Sequence, residues 1–145
     1  MRIVISIDPG NQKCGLLLAD IVNSSVIHGK VTKKNHVIKL INQWKNEYNI
    51  DLIILGNGTT SKYWKSKLES NNISPIQLVN EARTTLRARE RYLELCPPTF
   101  PISCLPRSIL LPPSNLDAVV ALILVEDLFN KKLEWKKPIE IKIST

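Results

Sequence analysis

Apolar residues recur along this chain in two rhythms, and the order in which those rhythms alternate describes an α/β domain. Residues 3–7, 15–21 and 26–31 are short, nearly continuous apolar runs of the kind that become buried strands. The turns between them, around Pro9-Gly10 and Asn23-Ser24-Ser25, are short enough to require an antiparallel meander. Val37, Ile41, Trp44 and Tyr48 then return at helical spacing, with Lys39, Asn42, Lys45 and Asn46 between them, which predicts an amphipathic helix. Two strand-loop-helix units follow. A strand at 51–55 is halted by Gly56-Asn57-Gly58 and leads to a helix over 61–70; a strand at 76–79 ends at Asn80-Glu81 and leads to a helix over 84–95. Strands each followed by a helix pair in parallel through right-handed crossovers. Residues 116–129 are apolar on nearly all sides, as a helix buried against a sheet must be. The expectation is a mixed five-stranded sheet, three strands antiparallel and two parallel, flanked by helices.

Between the last two helices, six prolines in residues 96–114 exclude regular helix and predict a long flap. The domain is expected to span 1–130, followed by a basic, peripheral tail over 131–145 in which Ile139, Ile141 and Ile143 alternate like a short strand. The chain has 145 residues and 43% hydrophobic content, enough for one substantial core and too little for two domains. Twenty Lys and Arg against thirteen Asp and Glu leave a net charge of +7, which points to a polyanionic partner such as RNA, DNA or an anionic surface. Cys14, Cys96 and Cys104 are odd in number and lack metal-ligand spacing, which disfavours a disulfide framework or a zinc site and suits a reducing cytoplasm. The longest apolar stretch, 116–125, is about half of what spans a bilayer, and no signal-peptide pattern opens the chain; no membrane association is expected.

Three acids stand where an apolar element meets a loop. Asp8 ends the first strand, Glu81 ends the fifth, and Asp117 opens the last helix. The C-terminal edge of a central sheet collects strand ends, and a helix crossing that edge adds a further side chain. Converging carboxylates repel unless a cation sits among them, and an all-oxygen set suits magnesium or manganese. Each acid also has a purely structural use: Asp8 in an Asp-Pro-Gly turn, Asp117 in a capping box with Ser114, and Glu81 at a helix N-terminus. After Glu81, Arg83, Arg87 and Arg91 fall four apart on one helical face, where they either track phosphates or pair with acids such as Glu90 and Glu94. Lys62, Lys65 and Lys67 flank Tyr63 and Trp64, and the helical stripe assigns Trp64 to the core. His28 and His36 have no ligand spacing and receive no role.

The order of these elements resembles the RNase H-like fold, and more narrowly its RuvC and YqgF branch. Ile7-Asp8-Pro9-Gly10 is similar to the first-strand motif of RuvC resolvases. Val79-Asn80-Glu81 is similar to the Asp-Glu-Arg strand end of YqgF proteins, and Leu116-Asp117-Ala118-Val119 through Leu124 to their final helix. Gly56-Asn57-Gly58-Thr59 with Val79-Asn80-Glu81-Ala82 also looks like the YqgF-like domain of Tex transcription accessory proteins. The resemblance implies a magnesium- or manganese-dependent endonuclease, in the cytoplasm, with Asp8, Glu81 and Asp117 as catalytic metal ligands. It further implies nucleic-acid contacts from Arg83, Arg87, Arg91, Asn57 and Gly58, and a monomer or homodimer. Precursor rRNA is the implied substrate, with Holliday-junction resolution and a non-catalytic Tex-like binding module as alternatives. The chain departs from RuvC where Gly56-Asn57 replaces a strand-end glutamate and Val120 replaces a second acid on the last helix.

Overall fold

The computed structural model describes residues 1–97, 104, 116–136 and 143–144. Nearly all of the predicted flap, with the Ser114 capping partner, and residues 137–142 and 145 of the predicted tail lie outside the described residues. Strands β1 (Ile3–Asp8), β2 (Lys13–Asp20) and β3 (Ser25–Lys33) form the antiparallel meander, and helix α1 (Val37–Glu47) returns the chain to the sheet. β4 (Ile50–Gly56), α2 (Ser61–Ser70), β5 (Ile76–Val79) and α3 (Thr84–Leu95) complete two crossover units, and α4 (Asp117–Phe129) crosses the sheet. β4 pairs in parallel with β1 and with β5. A two-residue β6 (Ile143–Ser144) joins β3 in parallel, so the sheet order is β5-β4-β1-β2-β3-β6. The five predicted strands are all present with their predicted directions, and the sixth contains Ile143 of the alternating tail.

Side-chain alternation along the central strands divides the core into two layers. Ile3, Ile5 and Ile7 of β1 pack with Leu16, Leu18, Ile53 and Leu55 against α1 and α2, where Trp44 and Trp64 are buried. Val4, Leu17, Ala19 and Ile54 point the other way and pack against α4. Eight consecutive residues of α4, Ala118 to Val125, are buried, which explains why its sequence shows no polar face. The tail departs from expectation. Leu133 and Trp135 are buried in the α4 layer, and Glu134 pairs with the start of β3 through its backbone. Gly29 makes room for this, because a Cβ there would strike the Trp135 ring. Leu133 and Trp135 therefore anchor the start of the tail in the core, while Lys132, Glu134 and Lys136 between and beside them are exposed.

Candidate functional site

Strand periodicity sets the direction of Asp8, and two glycines beside it bring the other two acids to the same sheet edge. Asp8 has the same parity as Val4 and so points toward the α4 layer. Its ladder partner in β2 is Gly15, and on its other side Ile7 pairs with Leu55, so Gly56 comes next along β4. Both neighbours of Asp8 on that face are thus glycines, and each is filled by another element. A Cβ at Gly15 would run into the backbone of Asp117 and Ala118, so the missing side chain is what lets the first turn of α4 lie directly on β2. A Cβ at Gly56 would run into the Glu81 carboxylate, which lies across that strand end. Gly15 delivers Asp117 to Asp8 from one side, and Gly56 admits Glu81 from the other.

Glu81 is held there by a small loop network. Asn57 donates its backbone N–H to Val79 O at 2.9 Å, and its side-chain Oδ1 accepts from the Glu81 N–H at 3.2 Å. Asn80 Oδ1 accepts from Ala82 N–H at 3.0 Å, an Asx turn, and Gly58 N–H donates to the Glu81 carboxylate. Arg83, at the N-cap of α3, takes the left-handed conformation at φ 55°, a strained position for a residue with a Cβ. Asn57 and Gly58, which the resemblance implies as nucleic-acid contacts, thus both bond to Glu81.

The negative charge of this edge is only partly compensated. Asp8 is pushed up to about 8, first by burial and then by the charges of Asp117 and Glu81, with Lys13 opposing. Burial also raises Glu81, against the stabilising Gly58 N–H. Lys13 Nζ lies 3.2 Å from Asp117 Oδ2, an ion pair by distance that misses hydrogen-bond alignment. That oxygen and Glu81 Oε1 are buried acceptors without a hydrogen-bond partner among the described residues. Oxygen-only donors with unsatisfied acceptors suit a hard divalent cation. Among the described residues, however, no three His, Cys, Asp or Glu side chains are grouped so that they could hold one ion together. Magnesium commonly takes one or two carboxylates, with water and substrate phosphate completing its sphere, and Asp8 with a neighbouring acid meets that demand. Val120, at the departure from RuvC, is buried in the α4 layer.

A cleft of about 440 Å³ opens beside Asp8 and Asp117, walled by the hairpin from Pro9 to Lys13 and by Lys33. The hairpin is braced from below, where the buried Trp64 indole donates to Gly10 O at 3.1 Å and Gly10 N–H points at Cys14 Sγ at 3.4 Å. Burial raises the Cys14 thiol to about 11, so it serves packing and not reactivity. The arginine stripe lies elsewhere. Arg87 makes a bidentate pair with Asp127, and Arg91 grips Glu126 at 2.7 Å, Leu133 O at 2.9 Å and Glu94 at 3.1 Å. Two of the three arginines bind α3 to the end of α4. Lys13 and Lys33 went unnoticed in the sequence because they belong to different strands and meet only when the β2–β3 hairpin forms.

No protein-family model matches the chain, and no curated protein matches it in sequence. Solved structures do. RuvC of Thermus thermophilus in complex with a Holliday-junction substrate is 15% identical, with a TM-score of 0.53 over 90% of this chain and 95% of that one. A second structure of Thermus thermophilus RuvC is 13% identical, with a TM-score of 0.54 over 88% and 94%. Sheet order, strand directions and this superposition agree: the chain has the RNase H-like fold of the RuvC type.

Proposed function

We propose that the protein is a divalent-metal-dependent endonuclease acting on structured nucleic acid, with a four-way DNA junction as its foremost substrate and precursor rRNA as the competing one. The observation that carries this reading is the convergence of Asp8, Glu81 and Asp117 on one sheet edge, with Lys13 compensating their charge only in part. The fold likeness to a junction-bound RuvC favours the junction over RNA. Asp8 would be the central ligand, joined by one of its neighbours Glu81 and Asp117. A magnesium or manganese ion held there would neutralise charge on the phosphodiester and acidify an attacking water. The chain's own residues do the rest. Gly15 and Gly56 set the spacing of the acids, Asn57 and Gly58 orient Glu81, and Lys13 holds Asp117 and faces the incoming phosphate. The three free thiols fit a cytoplasmic setting. Symmetric cutting of two strands would take two copies of the chain.

A panel of four-way junction, precursor rRNA and single strands, each with and without magnesium, tests the reading. Asp8→Asn is expected to reduce cleavage by on the order of 10³-fold while leaving binding in place. Cleavage that survives Asp8→Asn would sink it. A second reading, a nucleic-acid-binding module without turnover, is favoured by Val120 in place of an acid and by the Lys13–Asp117 ion pair. Intact binding with no magnesium-dependent cleavage of any member of the panel selects that reading.

A further inference from the structure

The cleft beside Asp8 does not end at Lys33. A second groove of about 450 Å³ continues from it, sharing Asn11, Gln12 and Lys33 and adding Lys34, Asn35 and Lys67. Its lining residues are amides and ammoniums with no carboxylate. The wall is built and not incidental, because Lys34 N–H donates to Gln12 O at 2.8 Å, tying the end of β3 to the acid-bearing hairpin. Two of its cations are held over one exposed ring. Lys34 Nζ stands 4.2 Å and Lys67 Nζ 5.7 Å from the centre of Tyr63, and Lys67 Nζ lies 3.3 Å from the Tyr63 hydroxyl. Lys67 also lies 5.4 Å from the Trp64 ring, whose indole anchors Gly10. Neither Lys34 nor Lys67 forms an ion pair with a carboxylate of a described residue.

We propose that this groove is a clamp for the sugar-phosphate backbone of the nucleic-acid strand as it leaves the acid cleft, with Tyr63 positioning Lys34 and Lys67 to receive a phosphate. The proposal rests on the nuclease reading for its direction, since the strand is threaded from Asp8 toward α2. Cations on an aromatic face lose little freedom when they bind and keep their charge available, which suits a phosphate contact repeated along a strand. Tyr63 acts through the lysines and is a positioning residue; its ring is occupied by ammoniums and is not the base-stacking platform its exposure suggests.

Binding of a labelled four-way junction, followed by anisotropy without divalent metal across a salt series, tests the clamp. The double variant Lys34→Ala/Lys67→Ala is expected to weaken binding at least ~10-fold and to lower the slope of log K against log salt by about 2. Lys62→Ala/Lys65→Ala removes the same charge from exposed positions of α2 that do not line the groove, and is expected to cost under ~2-fold. Tyr63→Leu is expected to weaken binding several-fold at unchanged net charge, with Tyr63→Phe restoring it. Melting curves confirm that each variant is folded. Equal losses in the two lysine pairs, or wild-type binding by Tyr63→Leu, overturn the clamp while leaving the nuclease reading intact. Wild-type protein that binds neither junction nor RNA overturns both.

Discussion

The two ends of α4 carry acids in opposite circumstances. At its C-terminal end Glu126 and Asp127 are answered by Arg91 and Arg87, and Glu126 also accepts the Leu133 N–H at 2.9 Å. At its N-terminal end Asp117 joins Asp8 and Glu81, with the Lys13 ammonium 3.2 Å from Asp117, and two buried carboxylate oxygens lack a hydrogen bond among the described residues. The first arrangement fastens α3 to α4; the second leaves electrostatic free energy to be released by a cation or a proton. Charges that are matched one to one mark architecture here, and three acids answered in part by one lysine mark the candidate site.

The sharpest way to break this contrast is a pH series on metal-free protein. Asp8 moves from an ordinary value near 3.8 to about 8 on folding, so between those limits the folded chain holds a proton that the unfolded chain has lost. Stability contributed by that proton is present below pH 4 and gone above pH 8, a change on the order of 5 kcal/mol for a shift of this size. Asp8→Asn is expected to flatten the decline, matching wild type near pH 4 and exceeding it at pH 9, read from urea midpoints. Magnesium at pH 8 is expected to raise the melting temperature of wild type and not of Asp8→Asn.

Next in size is Glu126→Gln at the paired end. The Arg91 and Glu126 side chains are only 12% and 11% exposed, and removing one charge strands the other, at a cost of about 3 kcal/mol with catalysis per folded molecule unchanged. Gly15→Ala follows at about 2 kcal/mol, because its Cβ meets helix backbone that must shift; it joins the two halves of the comparison, since moving α4 also withdraws Asp117 and lowers cleavage. Smallest is Arg87→Ala. Its pair with Asp127 is 43% and 33% exposed, and loss is expected to cost no more than ~1 kcal/mol while junction affinity stays at the wild-type value. A large affinity loss in Arg87→Ala would return the α3 arginines to the substrate surface.

Periodicity made β1, β2, β4, α1 and α4 legible because it reports burial, while β5 and α3, with few buried residues, were legible from the turns and spacing around them. The parity of β1 even carries the direction in which Asp8 points. What stayed hidden depends on contacts between residues distant in sequence. Gly15 read as the start of an apolar run, although its meaning is the helix backbone resting on it. Arg87 and Arg91 formed a stripe whose partners lie 40 and 35 positions away. Leu133 and Trp135 sat among lysines and so read as tail, yet two apolar side chains were enough to bring the segment into the core. Lys34 and Lys67 gained their significance only from a ring that stands between them.

The hydrogen bond from Trp64 to Gly10 makes the chain its own spectroscopic reporter. Of the three tryptophans, Trp64 alone donates to the turn beside Asp8; Trp44 is buried on the inner face of α1 and Trp135 lies against Gly29 of β3. With Trp44 and Trp135 replaced by phenylalanine, the remaining indole emission would follow any rearrangement of that hairpin in real time. Occupation of the cleft could then be timed optically, before a single bond is cut.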